Sequence, residues 1–532
     1  MNYNELFFFI LFLIKHFSQY FFKLFLRLIF SGKLYRYFKT KKITNHNKEV
    51  NKISRQIRKN YELLSKEKTE RRLVLYRKKG LAHITRDDSF KKGYTKINIE
   101  KLNKIISIDT KKKIMQVEPR VTIEDLFDFT FHYGLIPKIS PEFKGITVGG
   151  AVLGNGLESS SFKYGLFERI VTEMEIIIGN GDVIKISKDK NPDLFYAFPG
   201  SHGTLGILTL LTIELTDALP FVELKYRKFK DVKSGVNCLN DIMKENSCDF
   251  LDAIMFSRSN FIVIEGHMKI KTTFSMRFYW HEIFYRHVFQ ITQNNHNHNP
   301  HDILRLREYL FRYDRYGFWV GYLEWSRTLK KRIIYGWLQS STLLFRMRTF
   351  WKYPDLEFSG FVQDYLIPID NSEKFIDFAV EKIFVFPIWF CPLNPNTSNI
   401  QDKKRLIFSL HEEMILKSDE KKESEKNEKN NNQNPFFIDI GIYGWPDPKG
   451  FTGNYKYYFD DINREFEKIT FELDGKKGLY SANYYSKELF WKIYDEKRYN
   501  QLRKEFQASK IFPDIYEKLG HSGWKKRTQK SN

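Results

Sequence analysis

Cysteine is scarce: Cys238, Cys248 and Cys391 are the whole supply in 532 residues, and none lies at C-x-x-C spacing. That excludes a disulfide framework and a cysteine-built zinc site, and it favours a reducing, cytosol-facing compartment for the folded part. Acidic residues are also short, 64 against 87 lysines and arginines, so the chain carries +23. The basic residues are spread along the chain. Zinc-finger, bZIP and RRM patterns are missing, so nucleic acid is not the expected partner. An anionic membrane face or an acidic cofactor accounts for the charge better. No Walker A lysine pattern occurs, and nowhere does a buried strand run into G-x-G-x-x-G and a helix, so neither a P-loop nor a Rossmann unit is expected. A run long enough to suggest a membrane segment lies in the first thirty residues.

That run begins with Leu6 to Ile14, nine apolar residues in a row, and continues to Phe30. Lys15, Gln19, Lys23 and Arg27 recur every four residues, which on a helix makes one polar stripe opposite Phe, Leu and Ile. A spanning helix takes ~20 predominantly apolar residues. The stretch suits an interfacial amphipathic anchor or a transmembrane helix with a snorkelling basic end. Residues 1–31 are read as a membrane anchor, and the lysines and arginines that follow favour the cytosolic side for the remainder. A buried core helix is the alternative.

With 42% hydrophobic and 17% aromatic residues there is material for two or three cores, as expected at this length. A helix is expected around Val50 to Leu64. Ile105 to Ile108 and Ile114 to Glu118 read as a hairpin, and Thr122 as the cap of a helix running to Tyr133 and closed by Gly134. Ile170 to Ile178, the turn Gly179-Asn180-Gly181-Asp182 and Val183 to Ile186 read as a second hairpin. Asp193 is placed as the cap of a short helix through Ala197. Arg305 to Trp351 is dense in aromatics and arginines, which suits a lid, a lipid-facing surface or an aromatic core. Asn294 to His301 contains three histidines without acidic or cysteine ligands, and is read as a loop with no metal. Ser418 to Asn434 has the composition of a disordered insertion.

Thr147 to Gly165, TVGGAVLGNGLESSSFKYG, holds five of the 29 glycines. Glycine permits close backbone approach and lets N–H groups face a phosphate. A glycine-rich turn without a ligand is the bland alternative. Gly200-Ser201-His202-Gly203-Thr204-Leu205-Gly206 is a second such loop. Two glycine loops among hairpins suggest an extended cofactor lying across an α+β domain.

These two loops, with Leu166-Phe167 and Asp193-Leu194-Phe195-Tyr196-Ala197, resemble the FAD-binding domain of the vanillyl-alcohol oxidase / p-cresol methylhydroxylase superfamily. More narrowly the chain is similar to the Delta(24)-sterol reductase family and the related plant Diminuto-type proteins. Val117-Glu118-Pro119, Val362-Gln363-Asp364, Pro387-Ile388-Trp389 with Cys391-Pro392, Ile438-Asp439-Ile440-Gly441 with Tyr443-Gly444, and Phe490-Trp491 follow in the family's order. The resemblance covers roughly residues 45 to 520. It implies an α+β fold: a two-subdomain FAD-binding domain at 42–218, then an α+β substrate or cap domain at 219–532 with insertions near 292–301 and 418–434.

The resemblance further implies FAD held by Thr147, Val148, Gly149, Gly150, Ala151, Val152, Leu153, Gly154, Asn155, Gly156, Leu157, Glu158 and Ser159. The loop Arg77-Lys78-Lys79-Gly80-Leu81 is degenerate, which favours non-covalent FAD. It implies NADPH as reductant, a sterol as substrate and an endoplasmic reticulum membrane location. Reducing a side-chain alkene takes a hydride at one carbon and a proton at the other. Tyr480 is the first candidate for the proton donor, with Asp439 and Tyr443 behind it. Arg312 and Asp314 are further possibilities, and Glu175 is read as a packing carboxylate. Two rivals remain open: a flavin oxidase of a hydroxylated small molecule, and a membrane-bound scaffold without chemistry.

Overall fold

The computed structural model describes residues 38–66, 72–76, 93–272, 282–293, 301–325, 327–336, 339–344, 361–395, 405–410, 436–445 and 455–520. The anchor at residues 1–31, the loop 77–81, most of the histidine-bearing loop (294–300) and the insertion 418–434 lie outside the described residues. No helix among the described residues is long and apolar enough to cross a membrane.

The chain enters on a long amphipathic helix, α1 (Ile43–Lys66), whose Val50, Ile53 and Ile57 are buried. They pack with Leu73 of β1 (Leu73–Leu75) and Ile97 of β2 (Thr95–Ile97), two short parallel strands. Next comes a six-stranded sheet from β3 (Ile105–Asp109), β4 (Ile114–Val117), β5 (Leu135–Pro137), β6 (Val171–Ile177), β7 (Val183–Ser187) and β8 (Ile207–Asp217). Its path runs β3-β4-β8-β6-β7, with β5 on the end of β8. β8 sits centrally because its apolar run ILTLL can be buried on both faces. Both expected hairpins form, β3 with β4 and β6 with β7. Thr122 caps α2 (Ile123–Thr130), its Oγ1 accepting from Asp125 N–H at 3.1 Å. The helix at Pro192–Ala197 is capped by Asn191 in the left-handed region rather than by Asp193, because Pro192 at the first helical position needs no N–H partner.

The second unit is an eight-stranded sheet built from β9 (Phe221–Phe229), β10 (Phe250–Ser257), β11 (Asn260–Lys269), β12 (His301–Arg305), β13 (Phe361–Pro368), β14 (Ile388–Leu393), β15 (Phe437–Gly444) and β16 (Lys476–Lys477). The order is β12-β9-β11-β10-β14-β15-β13-β16, and every pairing is antiparallel. Strands β10, β14, β15 and β13 are buried on both faces, so side-chain alternation decides which core each residue joins. Leu251, Ala253, Phe390, Ile438, Ile440 and Tyr365 turn to the helices Val232–Glu245, Ser372–Ile383 and Tyr455–Glu472. Phe250, Ile254, Trp389, Leu393, Phe437 and Tyr443 turn the other way, toward the first unit.

The C-terminal segment returns to the first unit. Tyr499 Oη donates to Thr204 Oγ1 at 2.9 Å, and the buried Arg503 reaches Thr204 O at 2.9 Å. Both acceptors lie in the second glycine loop.

His46 fastens α1. Its Nδ1 lies 2.8 Å from Glu118 Oε1 and its Nε2 3.1 Å from Glu175 Oε1. Burial works against the imidazolium, yet the two carboxylates outweigh it and the pKa is raised. For Glu175 burial likewise opposes the charge, while His46 and Thr209 hold its pKa down. Glu175 is thus a packing carboxylate, as read from the sequence. Stability from this contact is full between the ordinary values of 4.5 and 6.5. It is lost as pH rises through His46's raised pKa, and as pH falls through Glu175's depressed one. His46→Gln is therefore expected to cost about 1–3 kcal/mol at mildly acid pH and less at alkaline pH, read as the pH dependence of the unfolding midpoint.

Candidate active site

The glycine segment folds as a short helix, α3 (Val148–Leu153), capped by Thr147, followed by a turn with Asn155 at φ 53°. The amides at its head are already used: Val148 N–H donates to Val121 O, Gly149 N–H to Pro119 O and Gly150 N–H to Thr147 Oγ1. The glycines serve close approach instead. A Cβ on Gly149 would stand 2.6 Å from Pro119 Cβ. Gly150 is exposed, and a Cβ there would meet only Thr147 Oγ1. A Cβ on Gly154 would stand 3.0 Å from Gly150 O and 3.8 Å from Tyr480 Cβ. The segment therefore presents a floor bare of side chains at Gly150 and Gly154, with half-buried Tyr480 on its flank.

Past the floor, the chain dives into the core. Glu158 is buried and meets Arg312 Nη2 at 3.0 Å; the same nitrogen is 2.8 Å from Asp252 Oδ2 on β10. Tyr313 Oη and Trp389 Nε1 also donate to Asp252 Oδ2, at 2.7 and 3.1 Å. Burial pushes the Glu158 carboxyl up; burial also works against the Arg312 charge, but Asp252 and Glu158 among its neighbours outweigh it and raise the pKa. Arg312 thus joins the glycine segment to the second sheet. Asp314 has a structural task too, accepting from Lys144 N–H at 3.0 Å and Ser341 Oγ at 2.6 Å.

The second sheet places two acids beside this junction. Trp389 pairs with Gly441 and Gly441 with Asp364; one step along, Cys391 pairs with Asp439 and Asp439 with Leu366. These residues share one sheet face. Tyr443, two residues beyond Gly441, lies back along β15, and its hydroxyl donates to Asp364 Oδ1. Gly441 makes that possible, since a Cβ there would stand 2.4 Å from Tyr443 Oη and 2.9 Å from Asp364 Oδ1. Gly441→Ala is expected to dislodge the tyrosine and cost about 1–3 kcal/mol by overpacking, measurable by denaturant unfolding.

Among the described residues, no donor outside the two carboxyls reaches the buried Asp364 Oδ2 or either carboxyl oxygen of Asp439. Two adjacent carboxyls resolve this if one keeps its proton and donates it to the other. Burial pushes Asp364 up to about 7, against the hydrogen bonds from Tyr443 and Asp439. Burial and the neighbouring Asp364 push Asp439 well above the carboxylate range. Asp439 is accordingly the member that carries the proton. Half-buried Glu142 belongs to the same acidic group: burial first, then Glu158 and Asp364, raise its pKa, and its charge is felt by Asp439 and Tyr443.

Tyr480 completes the group. A Cβ built on Gly478 would stand 2.8 Å from Tyr480 Cε1 and 3.6 Å from Asp364 Cβ, and Gly478 N–H donates to Asp364 O at 2.9 Å. Tyr480, Asp439 and Tyr443, distant in sequence, therefore surround Asp364, and Tyr480 also borders the glycine floor. Asp364 was quoted from the sequence only as part of a family motif and given no role, and Asp252 and Glu142 were not singled out. The available signal was a lone acid in each of the apolar strands FLDAIMFS and FVQDYLIP.

Comparison with known proteins fits this geometry. An FAD binding domain family matches residues 62–187. The chain is 27% identical over 441 residues to Delta(24)-sterol reductase of Homo sapiens, covering 81% of this chain and 78% of that one. The chain is similar to Delta(24)-sterol reductases along most of their length. The Caenorhabditis elegans Delta(24)-sterol reductase homolog is 25% identical, covering 82% of this chain and 80% of its own. Delta(24)-sterol reductase of Arabidopsis thaliana is 23% identical, covering 83% and 80%.

The residues around the glycine floor suit an FAD. Asn155 donates through Nδ2 to Phe408 O at 3.0 Å, while its Oδ1 is buried without a partner. Ser140 Oγ and Ser201 Oγ, flanking the first glycine loop and within the second, are in the same condition. Buried hydroxyls and an amide oxygen left unsatisfied are the polar groups a bound cofactor would complete.

Proposed function

We propose that this protein is an FAD-dependent, NADPH-driven reductase of the Delta-24 double bond in a sterol side chain. The observation that carries the reading is the meeting of a side-chain-free glycine floor with Tyr480 beside the buried Asp364–Asp439 pair. The similarity to Delta(24)-sterol reductases supports the substrate class. FAD, when bound, supplies hydride transfer to one alkene carbon, with NADPH as the source of the electrons.

The chain's own residues then have a defined task. Gly150 and Gly154 leave room for a flat ring system, and Thr147, Asn155, Ser140 and Ser201 offer polar atoms to its edges. The proton for the second alkene carbon comes from Tyr480, the half-buried group at the floor. Asp439 and Asp364 hold a replacement proton within the same cluster, and Tyr443 orients Asp364. Phe318, 4.7 Å from Tyr443 between ring centres, and Trp389, 5.0 Å from Phe318, supply an apolar wall that keeps water from the reacting carbons.

Residues 1–31 would anchor the enzyme to the endoplasmic reticulum membrane with the catalytic part facing the cytosol, where an apolar substrate resides in the bilayer. The deciding experiment incubates membranes holding the full-length chain with a Delta-24 sterol, NADPH and FAD, and seeks the saturated side chain by mass spectrometry. Flavin-loaded protein that forms no product overturns the reading. Bleaching of the flavin by a hydroxylated donor, and not by NADPH, would favour the oxidase instead.

A further inference from the structure

Among the described residues, one short helix exposes large apolar side chains interleaved with basic ones. Thr328 caps the helix Leu329–Tyr335, its Oγ1 accepting from Lys331 N–H at 3.3 Å. Leu329, Ile333, Ile334 and Tyr335 are 54%, 47%, 46% and 48% exposed. Arg327, Lys330 and Lys331 are exposed among them. The helix meets the body through Arg332, which is buried, donates to Arg327 O at 3.2 Å and lies 5.7 Å over the ring of Tyr322. Four large apolar side chains exposed in seven residues form the kind of patch soluble surfaces avoid.

The interleaved charge says what covers it. Lysine is depleted at the centre of protein–protein interfaces. A bilayer face accepts both parts: apolar side chains enter the acyl boundary while lysine and arginine stems reach up to anionic headgroups. The helix is also joined to the proposed site. Tyr322 packs on Tyr285 at 5.8 Å and Tyr285 on Trp319 at 5.5 Å, and Trp319 Nε1 donates to Tyr443 O at 2.7 Å.

We propose that Leu329–Tyr335, with Arg327, Lys330 and Lys331, seats on an anionic phospholipid bilayer and sets the aromatic residues behind it at the membrane surface. That these residues form the sterol's entry side rests on the reductase reading; the seating itself does not. The test uses the full-length chain with a fluorophore at Ile334→Cys, or at Val183→Cys on β7 as control, against the unlabelled-site parent. Vesicles of phosphatidylcholine with or without phosphatidylserine carry a quencher lipid. Quenching is expected at position 334, well above that at 183, and is expected to weaken without phosphatidylserine and in the Lys330→Glu/Lys331→Glu background. Ile333→Glu is expected to lower turnover of vesicle-borne sterol about 10-fold or more, while leaving detergent-dispersed sterol turnover intact. Quenching at 334 no stronger than at 183, or indifferent to phosphatidylserine, overturns the proposal. Lack of turnover in detergent by the parent would instead overturn the reductase reading and leave the quenching result standing.

Discussion

Arg312→Met is expected to destabilise the folded chain by about 3–5 kcal/mol, because removing one partner of a buried ion pair strands the others. The guanidinium is fully buried, as are Glu158 and Asp252. Its plane also lies 4.1 Å from the ring of Tyr309 and 4.5 Å from that of Tyr313. Methionine would keep much of the packing, so the loss reports on the charge. Arg312→Lys is expected to recover little, since an ammonium neither stacks on the two rings nor reaches both carboxylates and Tyr309 O from one planar fork. Asp252→Asn should be milder, as the amide oxygen can still accept from Tyr313 and Trp389. Denaturant unfolding of the three variants decides the matter; equal midpoints for parent and Arg312→Met would show that the two units are joined chiefly by apolar packing. Because Glu158 lies within the glycine segment, Arg312→Met is also expected to weaken flavin retention, read as loss of bound flavin absorbance on gel filtration.

The sequence made much of this legible, for reasons that can be stated. Apolar runs bounded by a polar turn, Asp109 to Lys113, and by a glycine turn, Gly179 to Asp182, made both hairpins of the first sheet legible, because a half-buried strand needs such a pattern. The glycine segment was visible from composition, but the reason offered for it, amides facing phosphate, differs from what the structure shows at its head. Those amides bind Val121, Pro119 and Thr147, and the glycines answer to Pro119 and to the open floor. No local pattern distinguishes the two uses of glycine. Tyr480, Asp439 and Tyr443 were chosen by kinship and do come together, yet their common neighbour Asp364 received no role. Its part depends on β13 pairing with β15 across 70-odd residues that contain the insertion, and such register is not written in either strand alone. Glu142 was passed over for a related reason: next to Pro141 it reads as a loop carboxylate until a sheet from the other unit is laid against it.

Tyr480→Phe and Asp439→Asn carry the largest expected effects on turnover, and they are separable by half-reaction. A positioned proton donor contributes about 10²–10⁴-fold. Protonation is needed only when the alkene is saturated, so reduction of the enzyme by NADPH should proceed unchanged in both variants. Single turnover of previously reduced enzyme with sterol should slow by about 10²–10⁴-fold in Tyr480→Phe. In Asp439→Asn the expected change is in pH dependence. The Asp364–Asp439 pair titrates as a unit, and with Asp364 raised to about 7 by burial the parent's sterol step should decline as pH rises past neutrality. Asparagine keeps the shape but cannot hold the exchangeable acid proton, and its amide N–H favours the Asp364 carboxylate less than the acid's O–H does, so Asp364 is expected to ionise at higher pH. The declining limb should therefore move to higher pH in Asp439→Asn. Tyr443→Phe should move it the same way, because the tyrosine's hydrogen bond also favours the Asp364 carboxylate. Limbs that stay in place in both variants would remove the carboxyl pair from the proton path and leave Tyr480 to draw its proton from solvent.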